Sequence, residues 1–297
     1  MSTDAHHTQG LVASFGEMDT VDVVTRLSAL HLLMHIAGHG GQVLGPLGLA
    51  CAMLGLVSSR LGRAAGYWAI MTVILCARVF LDTDQLDNHF YLSMYWSGAL
   101  AVSLCLPAER QADALSLNAK WLLGLCMLFA VLWKIISPDY MSGAFFHFFM
   151  VADNRFHDLA KLFGGLTQAN LDHNFRVFSE VQDPLTPLHE YVVRLELPEG
   201  LRGLAVLMTW WTIVIEAAIA VVFLVPASRG IIKARHAVLL VFGFTTYLVA
   251  TVKGFGIALM IMGYANTPIE WKRTRVAYLV AIVYIEITAM GVLGFLT

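Results

Sequence analysis

Mostly apolar stretches, each long enough to enter a bilayer, recur from Val23 almost to the end of this 297-residue chain. A transmembrane helix needs about 20 predominantly apolar residues. Candidate spans run from Val23 to His39, Val43 to Ser58, Gly66 to Leu81, His89 to Leu106, Lys120 to Ile136, Leu204 to Pro226, His236 to Tyr264 and Val276 to Leu296. Inside lipid every backbone N–H and C=O needs an internal partner, so only helices and closed barrels cross it. These continuous apolar runs lack the two-residue alternation of a barrel strand. The expected fold class is therefore all-α, a polytopic integral membrane helical bundle of about eight spans. Composition agrees: 58% of residues are hydrophobic and 13% charged, whereas a soluble domain carries about one quarter charged residues. An ordinary soluble enzyme is excluded. A net charge of −2 with no basic block excludes nucleic acid as a partner and leaves membrane lipid as the expected one.

Four segments follow. Residues 1–22 form an N-terminal tail without the positive stretch and early apolar core of a signal peptide, so the first span is expected to direct insertion. Residues 23–136 carry helices one to five, 137–203 an amphipathic outer-face segment, and 204–297 the C-terminal transmembrane helices. The segment 137–203 mixes aromatic and polar residues, as in FFHFFMVADNRFHDLAKLFGGL and TPLHEYVVRLEL, the pattern of helices lying at an interface as a lid. Short cytoplasmic loops retain positive charge. Arg60 and Arg63, then Arg110 and Lys120, then Arg229, Lys233 and Arg235 share one side by helix parity, and Asp82, Asp84 and Asp87 share the other with residues 137–203. The seventh window is interrupted at Lys253-Gly254-Phe255-Gly256, so it is tilted, kinked or split. A single crossing puts Lys272, Arg273 and Arg275 outside; a turn at the glycines keeps them inside.

An ionisable side chain at mid-bilayer costs about 2.5–3.5 kcal/mol on insertion scales, so each needs a partner, a water cavity or a function. Arg26, Arg78, His89, Lys134, Glu216 and Lys253 are the residues to explain. Lys134, near the outer end of span five, either snorkels to the headgroups or is a desolvated amine able to act as a general base. His89 opens span four on the same side, and Asn88 beside it has an amide that both donates and accepts hydrogen bonds. Glu216 is the only charge in TWWTIVIEAAIAVVFLVP, either a catalytic group or a structural strut, with Arg26 as a plausible counter-ion. His31, His35 and His39 share one helical face. Their H-x-x-x-H spacing is similar to that of membrane di-iron desaturases, but no H-x-x-H-H accompanies it, so no metal site is expected. Cys51, Cys76, Cys105 and Cys126 lie in apolar windows without C-x-x-C spacing and read as small buried hydrophobes.

Four places resemble the transmembrane portion of the vitamin K-dependent γ-carboxylase and its bacterial relatives, the HTTM (horizontally transferred transmembrane) proteins. NHFYLSMYWSGAL resembles the family's N-N-H-x-Y-L segment, with Asn88, His89, Tyr91 and Leu92 in register. FAVLWKIISPDYMSG is similar to F-x-A-G-x-x-K-L-x-x-x-W-x-x-G, aligning Lys134 and Gly143, with Val131 at a family glycine and Tyr140 at the tryptophan. IEAAIAVVFLVPASRGIIKARHAVLL resembles a glutamate–proline–arginine segment followed by a histidine-led helix, matching Glu216 and His236 although Val225-Pro226 shifts the proline. Arg26 sits where the family's first helix has F-R. The carboxylase continues past the point matching Thr297 into a large lumenal domain.

What the resemblance implies is a two-part reaction at the outer membrane face. A lysine deprotonates reduced vitamin K, oxygen adds, and the resulting strong base removes a γ-proton from glutamate before a histidine assists attack on carbon dioxide. Lys134 would be the base and His89 the carboxylation residue, with Asn88, Tyr91, Trp133 and Tyr140 lining the substrate and quinol pocket. Glu216, Arg26 and His236 would be structural ionisable residues. The implied cofactor is reduced vitamin K or menaquinol, and the implied setting is a bacterial inner membrane with the site on the non-cytoplasmic side. An apolar quinol dissolves in lipid, and a dry pocket protects a strong base from water. The expected function is a quinol-linked epoxidase and carboxylase, a lyase, acting on an unidentified peptide or small molecule. The alternative is a non-catalytic membrane protein binding lipid, peptide or a partner through the same pocket. A transporter predicts internal repeats and midplane charges, which the sequence lacks.

Overall fold

The computed structural model describes residues 19–38, 44–81, 88–182, 195, 198–249 and 252–289, and among them the chain forms helices and turns but no strand. The first 18 residues of the tail, His39, Asp82, Asp84 and Asp87 lie outside the described residues. So do the Thr186–Leu197 stretch apart from Leu195 and the last eight residues.

Helix α1 covers Thr20–Gly38, α2 Leu44–Val57, α3 Ala65–Leu81 and α4 Asn88–Leu104. Helix α5 covers Ala108–Ile136, well longer than the expected Lys120–Ile136, because the polar stretch AERQADALSLNA is made of good helix formers. At 1.5 Å per residue α5 extends roughly 43 Å, beyond a hydrocarbon core of about 30 Å. Arg110 and Lys120 therefore lie on the helix, not in a loop. Three short helices follow, α6 (Ala144–Ala152), α7 (His157–Gly164) and α8 (Gln168–Gln182), and then α9 (Gly200–Leu224), α10 (Arg229–Val249), α11 (Lys253–Ala265) and α12 (Lys272–Ala289). Helices α5, α9 and α10 are long and apolar enough to cross a membrane. On α9, Leu207, Val214 and Val221 recur every seventh residue and are 65%, 60% and 59% exposed, so an apolar stripe faces away from the protein.

Cross-helix pairs fix how the helices run. Trp96 Nε1 donates to Ser28 Oγ at 2.9 Å and His31 Nε2 meets Ser93 Oγ at 3.2 Å, so α1 and α4 are antiparallel. One turn further, His35 comes level with position 89. Gly124 packs on Leu224 and Lys134 meets Glu216, which makes α5 and α9 antiparallel. His236 faces Thr267, Gly243 faces Met260 and Tyr247 faces Gly256, stepping forward in α10 and back in α11. The window 236–264 is thus two helices turned back on each other. Lys272, Arg273 and Arg275 consequently share an end of the bundle with Arg229, Lys233 and Arg235, called here the basic end.

Helix α11 is buried from Gly256 to Ala265 and packs against α1, α4, α5, α10 and α12. Such a helix has no face left for solvent, which suits its nearly uniform apolar sequence, GFGIALMIMGYA. Gly256 lets Tyr247, only 2% exposed, lie flat against the α11 backbone where a Cβ would strike the ring. A second core joins α6, α7 and α8 to the last turns of α5 and the first half of α9 through Val131, Phe146, Met150, Leu171, Leu201 and Ile213. Gly143 turns the chain into that cap with φ +80°, a conformation that favours glycine, and packs on Val206. His147 Nε2 donates to the Pro198 carbonyl at 3.1 Å and ties α6 to the entry of α9.

Candidate functional site

The far end of α5 and the middle of α9 meet beneath this cap. Lys134, in the last turn of α5, forms an ion pair with Glu216 of α9. Their side chains are 17% and 8% exposed, so the pair is largely dry. The second carboxylate oxygen, Glu216 Oε2, is buried without a hydrogen-bond partner. Lys134 Nζ also lies 5.3 Å from the centre of the Tyr140 ring, a cation–π contact. Tyr140 is placed by a single turn, Pro138–Met141, whose start Ser137 caps by accepting from the Tyr140 N–H.

The Tyr140 hydroxyl is 2.7 Å from Thr212 Oγ1. Thr212 donates its one hydroxyl hydrogen to the Thr209 carbonyl at 2.9 Å, so Tyr140 is the donor in their bond. Burial pushes the Tyr140 phenol up from its ordinary value, outweighing the opposing effect of its hydrogen bond with Thr212, and the hydroxyl stays protonated. Thr212 lies one turn before Glu216 on the same face of α9. Lys134, Glu216, Tyr140 and Thr212 therefore form one connected polar group at the junction of α5, α9 and the cap.

Beside this group is a cavity of about 320 Å³ lined by Phe146, Met208, Trp211, Thr212, Thr246 and Val249, among others from α7, α9 and α10. Its walls are apolar except for three threonines, Thr212, Thr245 and Thr246. Thr212 joins it to the polar group, and Thr246 Oγ1 is buried without a partner. Its rim includes Phe163 and Leu207, which are 56% and 65% exposed. That volume lies at the small end of ligand pockets, about 300–1,000 Å³, whose usual make-up is an apolar wall with a few placed polar groups.

No family model, curated protein or solved structure matches this chain.

The residues singled out from sequence are distributed as follows. Lys134, Glu216 and Tyr140 come together. Lys134 turns inward to a carboxylate and does not snorkel. The expected counter-ion for Glu216, Arg26, is instead exposed near the basic end, and Lys134 takes its place. Lys253 is exposed at the start of α11. Trp133 is 73% exposed and faces away from Glu216, a consequence of its one-residue offset from Lys134 on a helix; Tyr91 is also exposed. Asn88 and His89 open α4, and their side chains lie outside the described residues. His236 is buried at the basic end, away from this group, with Nδ1 at 3.0 Å from the Tyr278 hydroxyl. Arg78 is buried with its guanidinium 4.9 Å from the Phe90 ring centre. His31 and His35 stack at 5.6 Å against α4. Among the described residues no three His, Cys, Asp or Glu side chains gather as metal ligands.

Sequence reasoning missed Thr212 and Thr246. The T-x-x-x-E spacing in α9 was the available signal for Thr212, since residues four apart share a helix face. Nothing in the sequence distinguishes Thr246 from its neighbour Thr245.

Proposed function

We propose that the chain is a polytopic membrane enzyme of about eight spans, resembling the HTTM proteins and the vitamin K-dependent γ-carboxylase, that oxidises a lipid-soluble quinol at Lys134. The observation that carries this reading is the lysine–glutamate–tyrosine–threonine group set against an apolar cavity that opens outward. The basic end, with Arg229, Lys233, Lys272 and Arg273, is then cytoplasmic, and the Lys134 site faces the other side of a bacterial inner membrane.

The cavity fits the apolar ring and chain of menaquinol or reduced vitamin K, and its threonine corner fits a quinol hydroxyl. Such a quinol supplies two electrons and two protons, so that quinol plus dioxygen gives quinone epoxide plus water. Tyr140 and Thr212 orient the hydroxyl. Lys134 reaches it as a base by giving its own proton to Glu216, the carboxylate already in contact with it. The cap of α6, α7 and α8 excludes water. By the resemblance, His89 serves a following carboxylation of a peptide or small molecule.

A second reading rests on the same ion pair. An amine held by a carboxylate is also a strut joining α5 to α9, and the protein is then a lipid- or peptide-binding one. Reconstitution in liposomes with menaquinol or reduced vitamin K under air separates the two. Epoxide is expected from the wild type and lost in Lys134→Met. No epoxide from folded wild type with either quinol refutes the enzyme reading and leaves the strut.

A further inference from the structure

A second polar cluster lies at the basic end, remote from Lys134, and its donors are unmatched. Arg275 is fully buried in the first turn of α12. Its Nη2 donates to Thr20 Oγ1 at 3.0 Å and to the Tyr264 hydroxyl at 2.7 Å, and the guanidinium lies 4.5 Å from the Tyr264 ring centre. Its Nε and Nη1 are buried and have no partner. Among the described residues no carboxylate pairs with Arg275, although a guanidinium keeps its charge under all ordinary conditions. The nearest acids in sequence to Thr20, Asp19 and Asp22, are both engaged by Arg63.

His236 of α10, which meets Tyr278 one turn after Arg275 on α12, adds another unmatched donor. Its Nδ1 is 3.0 Å from the Tyr278 hydroxyl and 3.5 Å from Thr267 Oγ1. Thr267 donates its hydroxyl hydrogen to the Gly263 carbonyl at 2.8 Å. Tyr278 is fully buried, and His236 Nδ1 is the acceptor it meets, so Nδ1 accepts and Nε2 carries the ring hydrogen. That Nε2 is buried without a partner. A buried cation and several N–H groups without acceptors constitute a site for an oxygen-rich anion, since a dry, unpaired guanidinium is strongly unfavourable. Arg275 lies in the first turn of α12, where the helix dipole favours negative charge, and Arg273 is exposed beside it.

We propose that Arg275, with Tyr264, Thr20 and the neighbouring His236, binds a phosphate group at the cytoplasmic end of the bundle. Phosphate offers several acceptor oxygens to a forked donor, and its source is either an anionic phospholipid headgroup or free phosphate. Binding there ties α1, α10 and α12 to the buried α11 that they help to cradle.

The test is thermal unfolding of the full chain in a phosphate-free neutral detergent, with added phosphatidylglycerol, with inorganic phosphate, or with sodium chloride at matched ionic strength. Ligand at one hundred times its Kd is expected to raise the wild-type midpoint by about 5 °C. A rise with phosphatidylglycerol alone assigns a lipid headgroup, and a rise with inorganic phosphate as well assigns free phosphate. Arg275→Met is expected to lose the rise while unfolding no earlier than the wild type in the phosphate-free detergent. Wild type that responds to neither probe beyond the chloride control overturns the proposal. So does an equal rise in Arg275→Met. Should that variant not fold, native mass spectrometry of the wild type decides: a retained phosphate-bearing adduct supports the site, and its absence at saturating phosphatidylglycerol and phosphate overturns it.

Discussion

Removing either partner of the Lys134–Glu216 pair leaves the other charge in a nearly dry junction, whereas removing both leaves none. Breaking a buried ion pair from one side costs about 3–5 kcal/mol, while replacing both charges with well-packed apolar residues is often neutral or stabilising. With side chains 17% and 8% exposed, the pair retains a little contact with its surroundings, which selects the low end of that range. Lys134→Met and Glu216→Leu are each expected to cost about 3 kcal/mol, more than a hundredfold in the folded-to-unfolded ratio. The double variant is expected to lie within about 1 kcal/mol of wild type, because it also removes the unpartnered Glu216 Oε2. Equilibrium unfolding in mixed micelles, followed by tryptophan fluorescence, reads all four proteins. Singles that add to give the double within about 0.5 kcal/mol would refute the coupling. The double variant also separates stability from chemistry, since it is expected to fold and to form no epoxide.

Two further predictions concern the scaffold. Gly256→Ala drives a Cβ into the buried Tyr247 ring and is expected to cost about 1–3 kcal/mol, whereas Gly243→Ala meets only the flexible end of Met260 and is expected to cost less, both measured by the same unfolding assay. In the cap, burial lowers the His157 pKa from its ordinary 6.5, with Lys161 adding to the effect, and its Nε2 has no partner. The unfolded chain therefore binds the proton more readily, so this residue's contribution is intact above 6.5 and is lost as pH falls from there toward the folded-state value. His157→Phe is expected to flatten the loss of thermal stability across that window, and an unchanged pH slope would count against the burial.

Much of the helical plan is legible in the sequence because lipid-length apolar runs have one economical solution, an internally hydrogen-bonded helix. The break at Lys253-Gly254-Phe255-Gly256 is visible as a composition change, but its geometry is not. The approach of Gly256 to Tyr247, of Gly243 to Met260 and of Thr267 to His236 shows two helices folded together. That turn also brings Lys272, Arg273 and Arg275 to the basic end, which charge counting leaves open. For the site, Lys134 and Glu216 stand out as isolated charges, yet their pairing depends on the register of α5 against α9. Arg26 was the wrong partner because a residue early in α1 stays near the basic end, while Lys134 lies at the far end of α5. Arg235 reads as a loop charge in sequence but is buried, donating to the carbonyls of Val222 and Val225 at 2.6 and 2.9 Å where α9 ends. Free carbonyls at a helix terminus call for such a donor, but their position is set by where α9 stops.

The most direct measurement is mass spectrometry of the quinol product formed under ¹⁸O₂ by purified protein in liposomes, for wild type and the folded Lys134→Met/Glu216→Leu variant. If Lys134 is the base for quinol oxidation, wild type yields quinone epoxide carrying one heavy oxygen and the double variant yields none. Epoxide in equal amounts from both proteins, or no epoxide from folded wild type with either menaquinol or reduced vitamin K, contradicts it.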